Sequence, residues 1–155
     1  MELPGNRDKK IIDGTHRIVF YLLPLLGLAF LLWYIKNAAC DVVYSDYIRL
    51  VNSYLPDVFN PEKFFVADVL TRIPINYLSR IINVKFFGFS ITFDRVLGAV
   101  SVSLAAWCFA AYSRQLKINI KWFITFMIVM FSLNKWEMLT NGSGWSHFFA
   151  FACFY

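Results

Sequence analysis

IVFYLLPLLGLAFLLWYI, residues Ile18–Ile35, is an 18-residue run without a charge, bracketed by Arg17 and Lys36. At about 1.5 Å of rise per residue, a helix of this length reaches roughly 27 Å, close to the ~30 Å hydrocarbon thickness of a bilayer. Trp33 and Tyr34 stand near its end, where amphipathic rings suit a membrane–water interface. Pro24 and Gly27 would weaken a helix in water, but in lipid neighbouring groups recover the freed backbone carbonyls. The basic residues ahead of the run (Arg7, Lys9, Lys10) also suit a secretory leader. The run is longer than the usual leader core of about 7–15 residues, however, and further apolar runs follow it. It reads as a first transmembrane helix.

Composition points the same way. Of the 155 residues, 59% are apolar and 16% charged, and there are 17 Phe, 8 Tyr and 5 Trp with a mean hydropathy of +0.54. Soluble domains run near ~45–50% apolar and about 25% charged. The balance excludes a disordered chain, a nucleic-acid arm and a disulfide-stapled secreted module. The net charge of +5 arises from basic residues flanking apolar runs, so membrane lipids are the expected partners and no nucleic acid is implied.

Working outward, Val96–Ser113 is a second uncharged run, between Arg95 and Arg114, with Gly98, Ser101, Ala105, Ala106 and Ala110 at helical spacings. Small residues let helix backbones approach closely, so this span should pack against another helix. Trp122–Asn134 is a shorter third candidate, extended by Ile118, Ile120 and a Lys121 able to snorkel. A fourth apolar run starts at Ser146 and is still apolar at Tyr155, which suggests the N-terminal part of a longer polytopic protein.

The expected fold class is therefore all-α: a polytopic transmembrane helical protein with a long external loop carrying amphipathic interfacial helices. Its organisation would be a cytoplasmic tail (1–17), a first span (18–35), the external loop (36–95), a second span (96–113), a cytoplasmic loop (114–121), a third span (122–134), an external turn (135–145) and the start of a fourth span (146–155). Basic residues in the tail and in RQLKINIK place both inside by the positive-inside rule, giving a cell-membrane protein with a cytoplasmic N-terminus.

The large loop has helical patterning. Val43, Tyr47, Leu50 or Val51, and Tyr54 recur every three or four positions, predicting an amphipathic helix from about Val42 to Leu55. Pro74 opens a second, with Ile75, Leu78 and Ile81 or Ile82 on one face and Asn76, Ser79 and Asn83 on the other. Asn60-Pro61-Glu62 reads as a turn opening a short helix. Phe86-Phe87-Gly88-Phe89 reads as an interfacial aromatic belt before Ser90 or Thr92 caps the second span.

Chemistry-bearing candidates are few. Asp41 and Asp46 lie just past the first span, where a carboxylate could act as general base on an acceptor hydroxyl or bind a metal. The plain reading is a solvated acidic face with Asp46 paired to Arg49. Arg49, Arg72 and Arg80 can each grip a phosphate, or simply meet anionic head groups. His147, at the start of the fourth run, is an ionisable group at membrane depth and hence a binding candidate. Glu137 is similar, on the external turn with Lys135 two residues away. Cys40, Cys108 and Cys153 have the spacing of neither a metal site nor a disulfide framework. Asn141-Gly142-Ser143 matches a glycosylation sequon but reads better as a glycine turn. No cofactor is implied, although a divalent metal would suit the carboxylates.

The order of one span, a long external loop with an early aspartate and amphipathic helices, then closely spaced spans, resembles the N-terminal part of the GT-C class of polytopic glycosyltransferases. The stretches SDYIRLVNSYLPDVFNPEKFF, DVLTRIPINYLSRIINVKFFGFSITFDRVLG and FSLNKWEMLTNGSGWSHFFAFACFY also look like multi-pass cell-envelope proteins of Gram-positive bacteria. The resemblance implies a polyprenyl-phosphate sugar donor and a cell-envelope glycan acceptor. It places the catalytic acid on Asp46, with Asp41 second, and phosphate contacts on Arg49 or Arg72. A non-catalytic polytopic protein, such as an envelope-assembly partner or a transporter component, is the alternative.

Overall fold

A computed structural model describes residues 6–38, 48, 51–52, 55, 57–64 and 74–154, with side chains of 6–16, 63–64 and 74 outside the description. Among the described residues the chain is helical and has no strand. Among the described residues the helices with bounds at both ends are α1 (Asn6–Ala38), α2 (Pro74–Phe87), α3 (Ile91–Gln115), α4 (Ile120–Met130), α5 (Trp136–Asn141) and α6 (Trp145–Phe154). Short 3-10 turns occupy Pro61–Phe64 and Leu133–Lys135. Among the described residues two helical segments, Arg17–Ala38 and Ile91–Gln115, are long and apolar enough to cross a membrane.

α3 is the centre of the bundle, with α1 and α6 packed along it. Its small residues make this possible: Gly98, Ala99, Ser101, Ala105, Ala106, Ala110 and Ser113 are all buried. α1 and α3 run antiparallel. At one end Trp107 Nε1 donates to the Tyr21 carbonyl (3.3 Å), and Arg114 donates to the Tyr21 hydroxyl (2.6 Å) with its guanidinium 5.3 Å from the ring. At the other, Leu31 and Val102 line a shared cavity with Leu139. Phe20 stacks on Phe123 at 4.1 Å between centroids, fixing α4 to the same core.

Several boundaries differ from expectation. α1 continues well before Ile18, through Pro24, to a length of roughly 50 Å. α3 begins at Ile91 rather than Val96, because Asp94 and Arg95 are packed inside the bundle instead of flanking it. α4 ends at Met130, short of Asn134, and is only about 16 Å long. The chain turns there: Phe131 leaves helical geometry, Ser132 is extended, and the Ser132 hydroxyl donates to the Val129 carbonyl at 2.8 Å. The 135–145 segment is largely helical. It forms α5, closed by Gly142 in the left-handed conformation (φ 78°), so the sequon is the glycine turn that its composition suggests.

The α5–α6 junction is sterically tight. A Cβ on Gly144 would lie 2.6 Å from Met138 Cβ and 3.0 Å from the Met138 carbonyl, atoms that cannot swing away without shifting α5. Gly144→Ala is expected to cost about 1–3 kcal/mol through overpacking, read as a lower thermal midpoint of the purified protein. An unchanged midpoint would mean that the junction opens freely.

Candidate functional site

α2 buries its polar face. Residues 76, 79, 80 and 83 share one helical face, and Asn76, Ser79, Arg80 and Asn83 are all buried, whereas Leu78, Ile82 and Phe86 are exposed. The polar stripe is the inward face. Each of its groups must therefore find partners inside the protein, since an unpaired buried polar group costs on the order of 1–3 kcal/mol.

Asn83 finds them on the chain that follows. Its side chain donates to the Ser90 carbonyl (2.9 Å) and accepts from the Ser90 backbone N–H (2.7 Å), while the Phe89 N–H bonds to the Asn83 carbonyl (3.2 Å). This clip holds a sharp corner in which Gly88 and Phe89 are both left-handed (φ 60° and 65°), a conformation that is uncommon for phenylalanine. Ser90 occupies the N-cap position of α3, but its side chain makes no capping bond. At the other side of α2 the Tyr77 hydroxyl donates to the Asn60 carbonyl (2.6 Å), and the Asn60 side chain accepts from the Glu62 N–H (3.0 Å) to start the Pro61–Phe64 turn. Tyr77 also carries a small second core with Val51, Ile81, Phe89 and Ile91.

The corner delivers α2 onto the first turn of α3. There Arg80 forms a buried ion pair with Asp94, both side chains excluded from solvent. The next residue, Arg95, is equally buried and donates from Nε to the Thr140 carbonyl in the last turn of α5. A guanidinium at that point satisfies a helix-end carbonyl and lies favourably on the negative end of the helix. The Thr140 hydroxyl in turn donates to the Trp136 carbonyl (2.9 Å). One end of the bundle is thus a polar clamp joining α2, α3 and α5. Among the described residues the Asn76 side-chain oxygen, the Trp145 indole N–H and the Ser146 hydroxyl are also buried near helix starts, without hydrogen-bond partners.

Of the residues singled out in the sequence, Asp41, Asp46, Arg49 and Arg72, with the Val42–Leu55 helix except for Ile48, Val51, Asn52 and Leu55, lie outside the described residues. Ile48, Val51 and Asn52 are helical. His147 stands exposed on α6, one position after the buried Ser146, so its side chain is not gathered into the clamp. Among the described residues no three His, Cys, Asp or Glu side chains cluster as a metal site would need. Sequence reasoning missed the clamp residues Asp94, Arg95 and Thr140, and gave Arg80 to a phosphate or to anionic lipid head groups. The available signal was an Asp-Arg pair heading a run of small residues, with another arginine on the polar stripe of the preceding helix.

Beside the clamp, Lys135 is half-buried with its ammonium 5.8 Å from the Phe148 ring centroid. Burial pushes its pKa below the ordinary value of 10.5. Between the two values the unfolded chain binds more protons than the folded one, so stability rises with pH through that window. Below the folded pKa the penalty is full. Wild-type protein is therefore expected to gain thermal stability relative to Lys135→Met as the pH is raised from neutral toward 10.5. Parallel profiles would show that the amine carries no penalty.

Comparison of the chain with protein-family models, with curated proteins and with solved structures finds no match.

Proposed function

We propose that this chain is a membrane-embedded part of a glycosyltransferase-like protein that uses a polyprenyl-phosphate sugar to modify a cell-envelope glycan. The observation that carries the reading is the inverted polarity of α2. A helix with its polar stripe buried on the bundle and Leu78, Ile82 and Phe86 turned outward is suited to lying in lipid at the head of the spans. Asp41, Asp46, Arg49 and Arg72 fall in the sequence between α1 and α2, and in this reading they serve the lipid-linked head group.

Embedding is supported by the surface. Leu22, Leu25, Leu26 and Trp33 on α1, Trp107 on α3, and Ile128 and Val129 on α4 are all exposed, and only 28% of the apolar window of α1 is buried. The end opposite the clamp carries Arg17, Arg114, Lys117 and Lys121, which supports a cytoplasmic position for that end. In this arrangement Asp46 deprotonates the acceptor hydroxyl, Asp41 assists, and Arg49 or Arg72 steadies the phosphate. His147 is available at the surface of the same end. One observation favours the non-catalytic alternative, an assembly partner or transporter component: the clamp side chains are engaged with the protein itself. Asp46→Asn in the full-length protein separates the two, through the envelope glycan that each variant makes.

A further inference from the structure

A groove of about 200 Å³ opens between α3 and α6, lined by Val102, Ala105, Met130, Lys135, Phe148 and Phe151. Val102, Ala105 and Phe148 form a buried floor, and Phe151, largely exposed, forms an outer wall. Lys135 is the one charged group in the lining, and it forms no ion pair with any described residue. It sits at the clamp end, while Ala105 and Phe151 lie a turn deeper along their helices. The groove therefore has a cationic mouth and a hydrocarbon wall. A larger groove between α1 and α4, about 410 Å³ and lined by residues including Leu26, Gly27, Ile128 and Phe131, has no charged residue in its lining.

We propose that the Lys135 groove binds an anionic glycerophospholipid, its phosphate on the Lys135 ammonium and the first methylenes of one acyl chain over Val102 and Ala105. Charge complementarity selects this occupant. A sugar would need several polar partners where the lining offers one, and an uncharged chain would leave a half-desolvated ammonium uncompensated. A phosphate diester supplies the missing counter-charge and its own chain fills the apolar remainder. The inference rests on membrane embedding alone and is independent of the transfer chemistry.

The test is native mass spectrometry of the protein released from nanodiscs of mixed phosphatidylglycerol and phosphatidylcholine. Wild-type protein is expected to retain phosphatidylglycerol over phosphatidylcholine by about fivefold or more. Lys135→Met should abolish the preference and Lys135→Arg should keep it. Phe151→Ala, at a position 60% exposed, should lower retention with the charge intact. Equal retention by wild type and Lys135→Met would overturn the proposal. Retention unaffected by Phe151→Ala but displaced by inorganic phosphate would also overturn it, by leaving a bare head-group contact. Protein that stays in aqueous solution without detergent would instead defeat the embedding itself.

Discussion

Asp94→Ala is expected to destabilise the fold by about 3–5 kcal/mol, the usual cost of removing one partner of a buried ion pair. The Arg80 and Asp94 side chains are 2% and 0% exposed, so the guanidinium left behind would lose its counter-charge in a place that water does not reach. The pair also ties α2 to α3, and its loss would loosen the whole head of the bundle. Denaturant or thermal unfolding of the detergent-solubilised protein measures the effect. Arg80→Met combined with Asp94→Leu should recover most of the loss, because two matched apolar side chains leave no stranded charge. If Asp94→Ala unfolds at the wild-type midpoint, the clamp is not an energetic anchor.

Asp46→Asn is expected to lower glycan transfer by the full-length protein about 10²–10⁴-fold, the range that a positioned general base contributes. The substitution keeps shape and removes the proton acceptor, so protein level and thermal midpoint should stay at wild-type values. Asp41→Asn should have a smaller effect, consistent with an assisting role. Asp94→Ala supplies the contrast, since it should reduce the amount of folded protein and leave the activity of the surviving fraction largely intact. Wild-type transfer by Asp46→Asn would remove the base from the mechanism and leave the non-catalytic reading standing.

The apolar runs were legible because a helix long and apolar enough to cross a bilayer is one continuous uncharged stretch, as Ile18–Ile35 is, and because a seam of small residues such as Gly98 to Ala110 lets helices pack closely. Pro74 marked the start of α2, and Asn60-Pro61-Glu62 the 3-10 turn, through local rules that act over one turn of chain. The orientation of α2 was not legible. Amphipathic periodicity shows that a helix has two faces and leaves open which is buried, and Asn76, Ser79 and Asn83 read equally well as a wet face or as the lining of a polar joint. Nor could the sequence show that Arg95 reaches Thr140, since nothing in the residues between them encodes that meeting. The end of α4 was missed for a related reason: Phe131 and Ser132 are apolar and small enough to continue a helix, and the turn there is imposed by packing.

The two halves of the clamp are written into the chain at very different separations. Arg80 and Asp94 are 14 residues apart and Asn83 and Ser90 only 7, whereas Arg95 and Thr140 are 45 apart. Chains are made from the N-terminus at about 5–20 residues per second. The α2–α3 corner can therefore close while the ribosome is still producing α4, and the Thr140 carbonyl reaches Arg95 several seconds later. During that interval Arg95 stands next to a finished joint without its final acceptor, which makes the emergence of α5 the event that completes assembly. A stall that holds α5 inside the ribosome would leave this half-built head exposed to quality-control proteases, whereas one that comes after α5 has emerged would not.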